Sequence, residues 1–314
     1  MNYSIGIDIG GTKVALAIVD ENGKVREQNI IPTDLTIAPK AMITEIIQET
    51  RALIEKSSLT EEEIIGIGIG APGPLDNQNG MITCPPNLKT WVDVPVQKWI
   101  QQAFPYPVRL ENDANAAALA EKWIGAGQEN ANFIYITVST GIGAGIVAEG
   151  RLLNGQKGNA GDIGHTVVDP SFGPCSCGQS GCLESIASGT AIARRGSAIM
   201  GADLTTEEVF ALYEKGHQEI TDLIERVFRV LGVACVSMIN TFDTEKIIIG
   251  GGVSKVGDAL FQSVQAYVGK YALNPTGRQT EIVPAKLEQS AGVVGAAALC
   301  FITNDDATSS LVEK

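Results

Sequence analysis

The chain has 314 residues, 44% of them hydrophobic, and its 23 lysines and arginines stand against 36 aspartates and glutamates for a formal net charge of −13. That length can bury a large core and divide into two domains, and the acidity excludes a duplex nucleic-acid surface, which needs clustered cations. No run of eighteen apolar residues and no charged leader with a cleavage site occurs, so a soluble cytoplasmic protein without membrane contact is expected.

Residues 3–9, Tyr-Ser-Ile-Gly-Ile-Asp-Ile, read as a β-branched strand that ends in Gly10-Gly11-Thr12-Lys13. A second strand is expected over 14–20, a hairpin turn at Asn22-Gly23 and a third strand over 24–31. The opening unit is therefore strand, glycine turn, strand. P-loop and dinucleotide folds differ, because there the glycine loop opens a helix. The backbone N–H groups of such a hairpin can still cradle phosphate, with Thr12 adding a hydroxyl and Asp8 placed to orient a hydrated magnesium ion. Read by itself, the turn fits equally well a hairpin that only needs glycine.

Met42, Ile43, Ile46, Ile47, Leu53 and Ile54 form an apolar stripe that predicts a helix over 39–56. Residues 64–70 alternate isoleucine with glycine as a buried strand, followed by Ala71-Pro72-Gly73-Pro74. Those glycines call for close approach by another element or by a ligand. Pro85-Pro86-Asn87-Leu88 holds one polar side chain, Asn87, between rigid neighbours. A short helix lies within 94–104, a strand over 108–111 ends at Asn112-Asp113, and an alanine-rich helix follows over 114–124. Asp113 reads in two ways: as the N-cap of that helix, or as a proton acceptor at the carboxyl end of a buried strand, where α/β sheets place ligands.

The strand over 132–138 runs into the glycine-rich stretch Thr140-Gly141-Ile142-Gly143-Ala144-Gly145. Beyond it, His165, Cys175, Cys177 and Cys182 place half of the chain's 6 cysteines and one of its 2 histidines within eighteen residues. Cys175-Ser176-Cys177 sets two thiolates on neighbouring turn positions, and Gly178 and Gly181 let Cys182 fold back to join them. With His165 they make a Cys3His set suited to tetrahedral zinc. Unmetallated thiols, or a disulfide with a spare, are the other readings; Cys84, Cys235 and Cys300 are scattered in apolar contexts, which disfavours a disulfide framework. Four protein ligands leave no position for water, so this zinc would hold a loop.

The remaining chain is mainly helical, over 188–200, 205–215, 219–242, 257–271 and 291–302. Thr205 and Glu208 form a capping box. Strands are expected over 246–249, running into Gly250-Gly251-Gly252, and over 281–284, and a polar tail follows from Asn304. His217 sits in a polar context and reads as a surface residue. Strand hairpins and helices recur in both halves, with no literal repeat.

Asp8-Ile9-Gly10-Gly11-Thr12-Lys13, Gly70-Ala71-Pro72-Gly73, Glu111-Asn112-Asp113-Ala114-Asn115, the 140–145 run, Gly161-Asp162-Ile163-Gly164-His165, the cysteine box over 175–184 and Gly250-Gly251-Gly252-Val253 carry a resemblance. In residues and order they resemble the sugar kinases of the ROK family (repressor, open reading frame, kinase), within the actin/hexokinase-like superfamily. The resemblance implies an α/β protein of two ribonuclease-H-like domains with an interdomain cleft and a zinc-bound loop. The smaller N-terminal domain would span 1–115, completed by a C-terminal helix over 291–314, and the larger would span 116–290 with the zinc loop over 165–182.

The activity it implies is transfer of the γ-phosphoryl of ATP to the 6-hydroxyl of a hexose, with glucose foremost and N-acetylmannosamine, fructose and β-glucosides as alternatives. A non-catalytic, sugar-responsive regulator is the other class, although a repressor of this family would carry a helix-turn-helix ahead of the strand that opens at Tyr3, and none is expected. Asp113 would be the base; Gly73, Asn87, Asn112, Asp162, His165 and Glu184 would join it in binding the sugar. Asp8, Gly10, Gly11, Thr12, Lys13, Thr140, Gly141 and Gly143 would hold the phosphates of ATP with Mg2+, and Gly250, Gly251 and Gly252 would face the adenosine. Structural Zn2+ would fix the loop presenting His165 and Glu184, and the protein would be a homodimer. One departure stands out: the family usually has glutamate where this chain has Asp162, which draws the carboxylate back by about 1.5 Å, one C–C bond.

Overall fold

The computed structural model describes residues 1–287 and 290–302. In chain order the strands and helices are β1 (Tyr3–Ile9), β2 (Lys13–Asp20), β3 (Val25–Pro32), α1 (Pro39–Ser57), β4 (Ile64–Ala71), β5 (Leu75–Asp76), β6 (Met81–Ile82), α2 (Val96–Gln101), β7 (Val108–Asn112) and α3 (Asp113–Ile124). They continue as β8 (Phe133–Val138), β9 (Ile142–Ala148), β10 (Arg151–Leu152), α4 (Leu183–Ala187), α5 (Gly189–Met200), α6 (Thr206–Glu214), α7 (Gln218–Phe242), β11 (Lys246–Gly250), α8 (Asp258–Tyr271), β12 (Glu281–Pro284) and α9 (Ala291–Phe301). The expected polar tail from Asn304 and the end of the expected C-terminal helix lie outside the described residues. Among those described, no helix is long and apolar enough to cross a membrane.

Two compact units form, one from residues 1–129, 150–160 and the chain from Lys286 onward, the other from residues 130–149 and 161–285. The first unit includes the C-terminal segment, as in the expected division into 1–115 with 291–314 and 116–290, but it runs on to residue 129. Helix α3 belongs to the first unit because its Ala116 and Ala117 backbone packs so closely on α9 that a Cβ at Gly295 would lie 2.6 Å from it. Residues 150–160 also return to the first unit, which a linear reading does not foresee.

In the first unit the sheet order is β3-β2-β1-β4-β7. The β1–β2 and β2–β3 pairs are antiparallel, and β1–β4 and β4–β7 are parallel. One face buries α1 and α2 against Ile5, Ile7, Leu16, Ile67 and Ile69. The other receives α9, an almost wholly apolar helix, and a helix apolar all round must be buried. Space for it comes from glycine: a Cβ at Gly6 would strike the Val293 carbonyl, and one at Gly68 the Ala296 carbonyl. The isoleucine–glycine alternation of β4 therefore answers to a helix, not to a ligand.

In the second unit the strands run β9-β8-β11-β12, with β8–β9 antiparallel and β8–β11 and β11–β12 parallel. That repeats the order and sense of β2-β1-β4-β7, so the recurrence seen as a pattern in the two halves is one of topology. Its core gathers Ile134, Ile136, Ile247 and Ile249 of the sheet with Ile224, Phe228, Leu231 and Ile239 of α7. Four residues of the glycine run, Ile142 to Gly145, are strand here and pair with Val138 to Tyr135. The capping box at α6 is present, with Glu208 N–H donating to Thr205 and Thr205 N–H to Glu208.

Candidate active site

In the first unit the β1–β2 turn is closed by Gly10 N–H donating to the Lys13 carbonyl at 2.9 Å, and Thr33 Oγ1 donates to the Gly10 carbonyl at 2.7 Å. Thr12 and Lys13 are exposed at its tip. A Cβ at Gly11 would lie 2.8 Å from the Asn87 carbonyl, so the Asn87 loop covers this turn. Asp8, at the end of β1, is pushed up from 3.8 to about 6 by burial, with the Lys13 charge acting the other way. Burial disfavours its charged form, which a nearby cation would favour.

At the end of β7 the roles of two neighbours separate. Asn112 is the N-cap of α3: its Oδ1 accepts from Ala114 N–H at 2.9 Å and Asn115 N–H at 3.3 Å. Asp113 is the first helical residue, exposed, with Oδ1 accepting from Ala114 N–H at 2.8 Å. The capping reading of Asp113 is thus corrected: the cap is one residue earlier. The Asn112 amide nitrogen faces Gly73, 3.2 Å from where a Cβ there would stand, and Asn159 Oδ1 lies 3.8 Å from the same point. Asn159 is fixed by a reciprocal pair with the Leu75 backbone at 2.8 and 2.9 Å.

Behind them stands Glu111, a residue without an assigned role in the sequence reading. It is 4% exposed, and its Oε1 accepts from Asn112 N–H at 2.8 Å and Asn115 Nδ2 at 3.0 Å. Burial raises its pKa against those hydrogen bonds. The signal available for it was the four-residue spacing of Glu111 and Asn115 across a strand-to-helix junction.

In the second unit Glu184, in the first turn of α4, reaches the β8–β9 turn: its Oε2 accepts from Ile142 N–H at 2.8 Å. A Cβ at Gly141 would lie 2.5 Å from that oxygen. A side chain at residue 141 would thus push the Glu184 carboxylate off the Ile142 N–H. Asp162 precedes, and His165 ends, the short 3-10 turn Ile163–His165. Partial burial and then the Glu184 charge push Asp162 up, while His165 acts the other way.

A cavity of about 550 Å³ in this unit is lined by Ser139 and Thr140, by Thr190 and Arg194 of α5, by Leu204, Thr205 and Thr206 at the start of α6, and by Gly252. Its size is that of a cofactor pocket. Thr140 and Gly252 were expected at a nucleotide; the α5 and α6 walls were not, since their residues carry no motif. Of the glycine triplet, Gly250 abuts the Tyr135 hydroxyl at 2.6 Å from its Cβ position and Gly251, at φ +88, abuts the Val138 backbone, so the two serve packing. Gly143 pairs with Thr137 inside the β8–β9 ladder.

The ligand atoms of His165, Cys175, Cys177 and Cys182 lie within 4.8 Å of one another. Cys177 and Cys182 sulfurs are 3.6 Å apart, as are Cys175 Sγ and His165 Nδ1. Tetrahedral zinc with Zn–S of ~2.3 Å and Zn–N of ~2.0 Å requires separations of about 3.8 and 3.5 Å, so the set fits such an ion. A Gln179 backbone hydrogen bond first, then the Cys175 and Cys182 sulfurs, bring Cys177 down to about 7 against the effect of desolvation. Burial, then the neighbouring sulfurs, raise Cys182 to about 12. A cation is what would allow both to be thiolates. All six cysteines are free.

A kinase-type α/β protein with a Cys3His cluster that could hold a metal ion is the class to which this geometry belongs. A sequence profile of the ROK family matches residues 4–301: the chain belongs to the ROK family. The glucokinase of Halalkalibacterium halodurans is 35% identical over 93% of this chain and 93% of its own. The ROK hexokinase of Thermus thermophilus superposes with a TM-score of 0.83 at 32% identity, covering 97% and 99% of the two chains. A ROK glucokinase of Streptomyces griseus, solved with glucose and AMPPNP, gives 0.78 at 30% identity over 95% and 99%. A xylose repressor of Caldicellulosiruptor bescii is also similar, at 28% identity over 94% of this chain and 77% of its own.

Proposed function

We propose that this chain is an ATP-dependent hexokinase that phosphorylates the 6-hydroxyl of a hexose, with glucose foremost. The similarity to glucokinases along nearly the whole chain supports the class, and the strand order common to the two sheets supports a ribonuclease-H-like layout for each unit. The observation that carries the mechanism is the division of labour at the β7–α3 junction. Asn112 caps the helix with its side chain, and the exposed Asp113 carboxylate, which accepts from Ala114 N–H, stands at the first helical position beside it.

A hexose hydroxyl has a pKa far above that of a carboxylate, so Asp113 orients it and takes its proton late, as the phosphoryl group transfers. Gly73, Asn87, Asn112, Asp162, His165 and Glu184 are the proposed sugar ligands. The β1–β2 turn and the cavity beside Thr140 and Gly252 are assigned to phosphates and adenosine. Mg2+, held through Asp8, would neutralise phosphate charge, and Zn2+ on the Cys3His set would hold the loop that carries His165.

Replacing Asp113 with Asn tests this. The cap remains on Asn112, so stability should change by under about 0.5 kcal/mol, as at ordinary surface sites. Turnover should fall by at least ~100-fold, the usual range for loss of a general base. The assay is ATP-coupled phosphorylation across a hexose panel, with sugar affinity measured separately. A near wild-type kcat would place the base elsewhere, and sugar binding by a wild type without turnover would favour a regulator.

A further inference from the structure

The metal-binding loop is tied to the body of its unit through one aromatic ring. Phe172 ends the 3-10 turn Pro170–Phe172, between His165 and Cys175. Two guanidinium groups converge on it: Arg195 Cζ of α5 lies 3.5 Å from the ring centroid and Arg226 Cζ of α7 lies 4.4 Å from it. Arg195 Nη2 also donates to the Phe172 carbonyl at 3.4 Å. Arg226 Nη2 donates to Asp169 Oδ2 at 2.6 Å, while Asp169 Oδ1 accepts from the Ser171 hydroxyl at 2.6 Å.

Two cations this close repel, and the surroundings make the arrangement harder to hold. The Nε atoms of both arginines are buried without a hydrogen-bond partner among the described residues. What offsets this is the negative π face of Phe172 and the single Asp169 carboxylate. The clasp is linked directly to the metal ligands. Val168 and Asp169 N–H groups donate to the Gly181 carbonyl at 2.9 and 3.2 Å, and Gly181 N–H donates to the Gly173 carbonyl at 2.8 Å. Fixing residues 169–173 therefore fixes the position of Gly181 and of Cys182 next to it.

We propose that Phe172, gripped by Arg195 and Arg226, is the clasp that holds the metal-binding loop on α5 and α7, and that these three are positioning residues for Cys182 and, through the 3.5 Å contact of its Sγ with the His165 carbonyl, for His165. Their bearing on hexose binding rests on the kinase reading above; their bearing on the metal does not. Phe172→Leu keeps an apolar side chain of similar size and removes the π face, whereas Phe172→Tyr keeps the face. Arg226→Met keeps the stem and removes one cation together with the Asp169 pair.

The measurement is the rate of zinc transfer from the intact protein to a chromogenic chelator, with zinc per chain and KM for hexose and for ATP alongside. Phe172→Leu and Arg226→Met should release zinc about tenfold faster, a change of ~1.4 kcal/mol at most cation–π sites of this kind. Both should raise hexose KM with ATP KM unchanged, and Phe172→Tyr should match wild type. Release at the wild-type rate from Phe172→Leu, or equal acceleration in Phe172→Tyr, would overturn the clasp. So would protein that carries no zinc as isolated. Failure of the kinase reading shows differently: hexose turnover is absent throughout while the zinc-release contrast persists.

Discussion

Asp8→Asn should make the ligand-free protein more stable and the enzyme inactive. Burial raises Asp8 from 3.8 to about 6, with the Lys13 charge only partly opposing it. For a carboxyl group raised in the folded state, the folded chain binds the proton more tightly than the unfolded chain. Its favourable contribution is complete below pH ~3.8 and is lost as pH rises through about 6. At about 1.4 kcal/mol per pH unit, ionised Asp8 costs up to ~3 kcal/mol at neutral pH. Asn, isosteric and uncharged, escapes that cost. Urea denaturation of both proteins from pH 4 to pH 8 should therefore show the variant's advantage growing to as much as ~3 kcal/mol, most steeply below about pH 6. Saturating Mg2+ and ATP should stabilise only the wild type, because binding to the native state adds to stability by mass action. A stability difference that stays constant across this range would refute the argument, since it would mean that Asp8 does not titrate with the fold.

Two further substitutions, at a buried carboxylate and at the β8–β9 turn, have defined outcomes. Glu121 is fully buried, accepting from Ala126 N–H at 2.6 Å and from Lys286 and Leu287 N–H at 2.9 and 3.0 Å. Glu121→Gln forces an amide N–H against a backbone N–H, so urea titration should show a loss of about 2–3 kcal/mol; a loss below ~0.5 would mean that the network is not formed. Gly141→Ala places a methyl group where Glu184 Oε2 stands, so steady-state kinetics should show hexose KM rising by about tenfold or more; a rise confined to ATP KM would show that the turn serves phosphate first.

Much of the architecture was legible because its signals are local. The isoleucine-rich strands, the stripe of α1 and the capping box of α6 each lie within one short window, and the Cys3His set declares itself by spacing. What escaped depends on distant partners. Gly6 and Gly68 carry no mark to show that α9 will press on them. In β9, Gly143 and Gly145 hide the alternation that marks a strand, so only its pairing with β8 reveals it. Asn112 and Asp113 are both good caps, and neighbouring residues of equal propensity cannot be separated without coordinates. Arg195 and Phe172 belong to no motif at all; their association exists only in three dimensions.

The seating of α9 on glycines of β1 and β4 also bears on how the chain is made. Strand β1 leaves the ribosome well before the helix that covers it, with about 280 residues made in between. At ~5–20 residues per second, roughly 15–60 s separate the two during synthesis. For that interval one face of the first sheet lacks α9 and has only α3 beside it, at Ala17 and Val19, whereas residues 161–285 of the second unit are synthesised in a single run. The nascent chain thus passes through a stage with a finished later half and an unfinished beginning, and the groove waiting for α9 is where a chaperone has something to hold.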